Sequence, residues 1–472
     1  MVYSLIFSGW GLLDIKIYDI IQRKGLKMRY LKRKFDSWLV QWHKDPDRKP
    51  LLVKGARQVG KTESIRNFAK KHYENFIEIN FVFQPEFKQI VNDGYKVDAV
   101  IKRITALDPT LHFVPGKTLL FFDEIQEFPD IATSFKDFKI DGRYDIISSG
   151  SMLGIHYRQV ASIPVGYKTD YNLSSLDFEE FLWECGYEDG FVDEIFSNIT
   201  ARRPYDEMTL GLMEKRFLEY CALGGMPEIV RNYFERGSFE GSLRLQRELF
   251  AAYRDDVRKY AVGMDQTRIL NVLDHVAQQL AKENKKFQIS KVAKDARFKD
   301  YRGCIEWLKD AGVINVCNAM GFPELPVGGN INEAKFKVYF ADSGLLLGQM
   351  DEESQFDFRA NRNLGTYKGG LYENIVAEAL FKSGAPLVYY KREDSTLEMD
   401  FFLRDADNLV PVEVKAGSAK AKSLKILIES NHYPDITWGI KLVRGNIGFN
   451  NGILTLPNWS AFLLKRLMSH RE

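Results

Sequence analysis

Eight residues, Gly55-Ala56-Arg57-Gln58-Val59-Gly60-Lys61-Thr62, have the types and spacing that hold a phosphate chain, and they match GxxxxGK[ST] at every fixed position. The glycines let the backbone curl so that its N–H groups point inward at phosphate oxygens. A helix starting at the end of this run would present its positive end to the same anion. Lys61 would reach the β and γ phosphates, and the Thr62 hydroxyl would be a magnesium ligand. A second cluster, Thr118-Leu119-Leu120-Phe121-Phe122-Asp123-Glu124, is an apolar run ending in paired carboxylates. There Asp123 would hold the metal, directly or through water, and Glu124 would polarise the water that attacks the γ-phosphate. A third run ends Ile146-Ile147-Ser148-Ser149-Gly150-Ser151, where Ser149 or Ser151 would sense that phosphate. The expected cofactors are therefore ATP and Mg2+.

These residues need a scaffold, and the hydrophobic pattern supplies one. Short apolar strands are predicted at 50–54, 75–81, 118–122, 144–147 and 171–173, separated by helices such as 62–72. That alternation indicates a buried parallel sheet covered on both faces, an α/β fold. From about 177 the pattern turns helical as far as 280. Short helices at 289–293 and 301–308 then precede strands at 313–318 and 335–340, which flank the Gly/Pro-rich loop 321–329. Helix, helix, strand, loop, strand is the order of a winged-helix unit. The last part reads as a helix 371–382, a hairpin 387–391 and 398–403, a strand 409–415, a helix 419–431 and strands 437–442 and 452–456. The domain expectation is an extension over 1–27, an ATP-site domain over 28–200, a helical and winged-helix domain over 201–355 and an α/β domain over 356–472.

Bulk properties exclude little. At 472 residues the chain should hold two to four domains. A net charge of +2 neither requires nor forbids nucleic acid, so any basic surface must be local. Lys285, Lys286, Lys291, Lys294, Arg297, Lys299 and Arg302 form such a cluster at the helix–turn–helix, with Asp295, Asp300 and Glu306 interleaved. DNA or RNA phosphates or plain water would suit that face. The cysteines, Cys185, Cys221, Cys304 and Cys317, form no CxxC pair and read as reduced thiols. The apolar start is broken by Asp14, Lys16 and Asp19, and no membrane span is expected, which makes the cytoplasm the default. Met28 precedes a more typical helix at 30–42, so 1–27 reads as an extension or an over-called start.

At this point the residues resemble a family: prokaryotic AAA-type P-loop ATPases whose C-terminal part is a domain of unknown function (DUF4143) related to PD-(D/E)XK nucleases. The markers, in order, are Gly55 to Thr62, Leu119 to Gln126, Ser148 to Ser151 and Leu176 to Phe181. They continue with Gly224-Gly225-Met226-Pro227, Tyr253-Arg254-Asp255-Asp256, Tyr339 to Leu346, and Tyr372-Glu373-Asn374 through Glu413-Val414-Lys415. Many relatives carry a Gly-Arg pair after the sensor strand. Here Val165-Gly166-Tyr167 stands there, leaving Arg158, Arg254 and Arg258 as candidate fingers and a homo-oligomeric ring in question.

The resemblance implies a restriction-endonuclease-like C-terminal fold with a metal cluster. Asp400 and Glu413 would bind a second divalent metal, Lys415 would act on the attacking water, and Glu373 would be a third carboxylate. Glu413 and Lys415, two apart on a strand, share a face. The two functional expectations are an ATP-driven switch acting on nucleic acid and an ATP-controlled protein-interaction module with an inactive nuclease fold. The second would present the aromatics Tyr220, Phe234, Phe250, Tyr253 and Tyr260 to a partner.

Overall fold

Thr118–Asp123 (β3) is buried at every position, as a strand flanked on both sides must be in a sheet covered on both faces. The computed structural model describes residues 29–151, 166–261, 263–282, 286–294, 296–360, 362, 367–417 and 421–470. The expected extension, Arg158, Val165, Lys285 and Asp295 lie outside the described residues. Arg33–Glu472 form one compact unit.

The first sheet has the order β2-β3-β4-β1-β5, built from Leu51–Gly55 (β1), Asn75–Asn80 (β2), β3, Asp145–Ser151 (β4) and Thr169–Asn172 (β5). All its neighbours are parallel. Helices Lys34–Lys44 (α1), Lys61–His72 (α2), Val97–Leu107 (α3) and Phe135–Asp141 (α4) belong to this layer. Leu52, Ile77, Ile79, Leu120, Phe122, Phe135 and Ile146 share one core with the apolar face of α3. Because every strand runs the same way, β1, β3 and β4 end together, and a ligand crevice forms outside those carboxyl ends. The sequence pattern is met strand for strand.

The middle is helical: Phe178–Glu184 (α5), Asp189–Thr200 (α6), Glu207–Leu223 (α7), Pro227–Arg236 (α8), Ser242–Tyr260 (α9) and Gln266–Leu280 (α10). After α10 come Phe298–Asp310 (α11), Ile314–Met320 (β6) and Ile331–Phe340 (β7). The expected helix at 289–293 is only a short 3-10 turn, Ile289–Lys291. The observed order here is a 3-10 turn, a helix and two antiparallel strands.

Beyond β7 lie Ser343–Leu347 (α12), Glu352–Arg359 (α13), Tyr367–Lys382 (α14), Val388–Lys391 (β8), Glu398–Met399 (β9), Phe401–Arg404 (β10) and Leu409–Val414 (β11). Lys422–Glu429 (α15), Gly439–Val443 (β12), Gly448–Asn450 (β13), Ile453–Pro457 (β14) and Leu464–Ser469 (α16) complete the chain. Two sheets result, β7-β6-β8-β9 and β10-β11-β12-β14-β13. The strand expected over 398–403 is split at Asp400, where the chain leaves one sheet for the other. Strands from both sides of residue 356 share one sheet, since β6 pairs with β8. Among the described residues no helix is long and apolar enough to cross a membrane.

The parts meet through close backbone packing. Leu176 N donates to the Gly225 carbonyl at 2.7 Å. A Cβ on Gly225 would stand 1.9 Å from the Leu176 carbonyl oxygen. A Cβ on Gly224, whose φ is +74°, would stand 2.0 Å from Asp342 Oδ1. Replacing Gly225 by Ala must push α8 off residue 176 and should cost at least about 1–3 kcal/mol. A urea unfolding midpoint for Gly225→Ala equal to that of the parent would contradict this packing.

Candidate functional site

The phosphate loop is shaped by what lies against it. Gly55 ends β1, and a Cβ there would meet the Leu173 carbonyl oxygen at 2.3 Å. Gly60 precedes α2 with φ +93°, a conformation that favours glycine. Arg33, buried, donates from Nη1 to the Val59 carbonyl (2.8 Å), from Nη2 to the Ser174 carbonyl (2.7 Å) and from Nε to Glu180 (3.2 Å). One guanidinium thus braces the loop against the residues that follow β5, a contact the sequence did not announce.

Lys61 lies on the first turn of α2, 8% exposed. Its Nζ donates to the carbonyls of Gly55 (3.0 Å) and Ala56 (2.8 Å). Burial pushes its pKa down, against the pull of Glu124 and Asp123. A buried ammonium partnered by neutral carbonyls is electrostatically suited to an anion.

Asp123 is the focus of the polar groups. The Thr62 hydroxyl donates to its Oδ2 at 3.2 Å, Asn80 Nδ2 to Oδ2 at 3.0 Å, and the Glu124 amide to Oδ1 at 3.1 Å. The Ser149 hydroxyl also donates to Oδ1. Strand register explains this: Asn80 stands opposite Asp123, and β4 lies on the other flank of β3. Thr62, Asp123 and Ser149 are therefore brought together. The structure attaches Ser149 to Asp123, while the side chain of Ser151 is outside the described set. Asn80 was not singled out from sequence, although its place at the end of the strand beside β3 was a usable signal. Hydroxyl and carboxylate oxygens beside a phosphate loop are the hard donors that suit Mg2+. Thr62 and Asp123 would hold it, and the ion would neutralise charge on the β and γ oxygens.

Glu124 follows with a left-handed backbone, φ +55°. Gln126 donates to its carboxylate. Burial, then the neighbouring Asp123 charge, raises its pKa above the ordinary carboxylate value. Of the arginines considered as fingers, Arg254 pairs with Asp274 and Arg258 with Asp255.

The C-terminal residues also converge, with an addition. Lys337 Nζ lies 2.9 Å from Glu373, 2.9 Å from Glu398 and 3.8 Å from Asp400. Lys337 and Glu373 are each 1% exposed. Tyr339 donates to the same Glu373 oxygen at 2.5 Å, and Val414 N to Asp400 Oδ2 at 2.9 Å. Lys415 Nζ pairs with Glu413 at 2.6 Å and senses the charges of Asp400 and Glu373. Burial alone would push the Lys337 ammonium down, but Glu373, Glu398 and Asp400 hold it well above the usual lysine range. Among the described residues, no group of three or more His, Cys, Asp or Glu side chains is placed to hold a metal ion. The second divalent metal expected at Asp400 and Glu413 is thus not shown: Asp400 lies near Lys337 and Glu413 pairs with Lys415. Glu413 Oε2, buried and without a hydrogen-bond partner, is a single oxygen and not a ligand set.

The surface features divide. Lys291, Lys294, Arg297 and Lys299 are exposed, while Arg302 pairs with Glu306 and Glu333. Of the aromatics expected to face a partner, Tyr220 and Tyr253 are in the core.

Residues 47–182 match the family model described as AAA domain, which makes this part of the chain an AAA-type P-loop ATPase domain. Residues 214–355 match a domain of unknown function (DUF8612), and residues 368–458 another (DUF4143). The chain therefore carries an AAA domain followed by a DUF4143 domain, the order of the family its motifs resemble. Similar solved structures include the Aeropyrum pernix ORC1 protein in complex with DNA (12% identity, 70% of this chain and 90% of that one, TM-score 0.28). Another is the Thermotoga maritima RuvB Holliday junction branch migration motor (13%, 60% and 87%, TM-score 0.26). TM-scores that low carry no inference about this chain. No curated protein matches it.

Three outcomes test these sites. Glu124 must be ionised to accept a proton, and its pKa is raised. ATP turnover should therefore fall on acidification at a higher pH than an ordinary glutamate, about 4.3, would impose. Steady-state rates across pH 5 to 8 check this. Glu124→Gln should keep nucleotide binding and lose roughly 10²–10⁴-fold in turnover; normal hydrolysis by that variant contradicts the assignment. Separately, Lys337→Met leaves the buried Glu373 without its ammonium, while Glu398 keeps Lys391, and should cost about 3–5 kcal/mol in urea unfolding. Adding Glu373→Gln should recover part of that loss, and a single variant as stable as the parent would refute the charge-balance account.

Proposed function

We propose that this chain is an ATP-hydrolysing switch, dependent on Mg2+, that holds nucleic acid rather than cutting it. The observation that carries the ATP part is the convergence of Thr62, Asn80 and Ser149 on Asp123, beside a buried Lys61 whose partners are neutral carbonyls. The loop amides and Lys61 bind the phosphates. Thr62 and Asp123 orient the ion, and Glu124 takes the proton of the attacking water. Support for a nucleic-acid target comes from Lys291, Lys294, Arg297 and Lys299, exposed between the 3-10 turn and the first turn of α11. Cations there would neutralise backbone phosphates without reading bases. Lys337 supports a C-terminal domain that does not cleave. Its ammonium offsets part of the negative charge of Glu373, Glu398 and Asp400 that a hydrolytic metal would otherwise meet.

A protein-binding module with the same silent C-terminal site is the alternative, and one experiment separates the two. ATPase rates are measured for the parent and Lys61→Ala, alone and with duplex DNA, single-stranded DNA or RNA, at low and moderate salt. Nucleic acid should stimulate the parent and lose effect as salt rises. Lys61→Ala should neither bind nor turn over. A plasmid should stay intact with Mg2+ or Mn2+. A rate indifferent to every nucleic acid would remove that target, and metal-dependent nicking lost in Asp400→Ala would overturn the non-cleaving reading.

A further inference from the structure

Three contacts tie the middle of the chain to the phosphate loop and the helix after it. The Tyr253 hydroxyl donates to the Arg57 carbonyl at 3.1 Å. Arg57 Nη1 pairs with Asp256 Oδ1 at 2.8 Å. Arg231 Nη2 pairs with Glu63 at 2.6 Å, one residue past Thr62. Tyr253 and Asp256 are three apart on α9 and so share a face. That single face holds both the backbone and the side chain of one loop residue. Both charges reach the nucleotide site. Arg57 pushes the Lys61 pKa down and Asp256 pushes it up, and Arg57 senses Glu124. The Asp256 side chain is 11% exposed, so its charge is poorly screened.

From this geometry we infer that Asp256 is a positioning residue that competes with the bound phosphates for the Arg57 guanidinium, and so couples α9 to the nucleotide. The inference rests on the ATP reading above. A triphosphate carries several negative charges against the single charge of Asp256, so phosphates arriving in the loop draw Arg57 toward them. Asp256 is then left half-desolvated with a weakened counter-ion, which loosens the grip of α9 on the loop. Conversely, a target that stabilises the α9 contact raises the cost of recruiting Arg57 to the phosphates, by reciprocity.

The test is a double-mutant cycle on the full chain, read by calorimetric binding of a non-hydrolysable ATP analogue with Mg2+ and by kcat and KM for ATP. Asp256→Asn keeps the shape and removes the competing charge. It should tighten analogue binding three- to tenfold and lower KM, with kcat unchanged or reduced. Arg57→Ala should weaken binding by a similar factor. In the Arg57→Ala background, Asp256→Asn should change affinity by less than twofold, because its effect acts through Arg57. Asp256→Glu, which restores the charge, should return KM toward the parent value. An equal effect of Asp256→Asn in both backgrounds, or weaker binding in the single variant, overturns the inference. A parent chain that binds no nucleotide at all fails the ATP reading instead, so the two failures are distinguishable.

Discussion

Asp342 is a single carboxylate on which three stretches of the chain close. Buried, it accepts from the Ser175 hydroxyl at 2.6 Å, from the Gly225 amide at 2.9 Å and from the Gly344 amide at 2.9 Å. Ser175 follows the strand that flanks the phosphate loop, Gly225 opens the turn into α8, and Gly344 begins α12. Lys382, at the end of α14, lies 3.7 Å from the same carboxylate and 2.6 Å from Glu378. Glu378 in turn accepts from the Ser343 amide and the Tyr220 hydroxyl. A buried network of this kind is favourable only when every member is satisfied. Here the donors come from the nucleotide domain, the middle helices and the C-terminal helix, so no part can shift alone without leaving a charge unpaired. The glycines matter for the same reason: a Cβ on Gly224 or Gly344 would stand 2.0 or 2.9 Å from Asp342 Oδ1.

Two buried lysines show what this fold does with charge. Lys61 is held by carbonyl oxygens, and burial lowers its pKa. Lys337 is held by carboxylates, and they raise its pKa despite deeper burial. The first ammonium has no carboxylate hydrogen-bonded to it, so its charge is open to an anion. The second is paired from within. Both lysines are buried, so the nature of the partners sets the direction of each shift.

That difference also explains what could be read from the sequence. The phosphate loop and the Asp123-Glu124 pair are local: their chemistry depends on a few adjacent residues at the end of one strand. Their positions follow from the spacing of GxxxxGK[ST] and the apolar runs before each. Asn80 needed strand order, since only pairing of β2 with β3 puts it opposite Asp123. Lys337 was illegible for a stronger reason. On β7, Lys335, Lys337 and Tyr339 alternate toward one face, which by pattern alone is a polar, solvated face. It is buried because α14 and Asp400 cover it, and those contacts are remote in sequence. The structure brings Glu373, Asp400, Glu413 and Lys415 into one region and adds Lys337, a fifth residue that no spacing rule includes.

The markers Gly224-Gly225-Met226-Pro227 and Tyr253-Arg254-Asp255-Asp256 were visible as a pattern without a mechanism. The structure gives each one a mechanical sense. The first lets the middle helices touch residue 176, and a Cβ on Gly60 would lie 3.4 Å from the Pro227 ring. The second places Tyr253 and Asp256 on Arg57. Both therefore bear on the phosphate loop from the same side, through elements that continue into α12 and the sheet containing β7. A change in what the loop holds must be felt first at Arg57 and Gly60. The contacts that feel it belong to helices that are themselves anchored at Asp342. The loop is thus where contacts from several elements of a tightly satisfied assembly meet, so a charged ligand there would act on all of them.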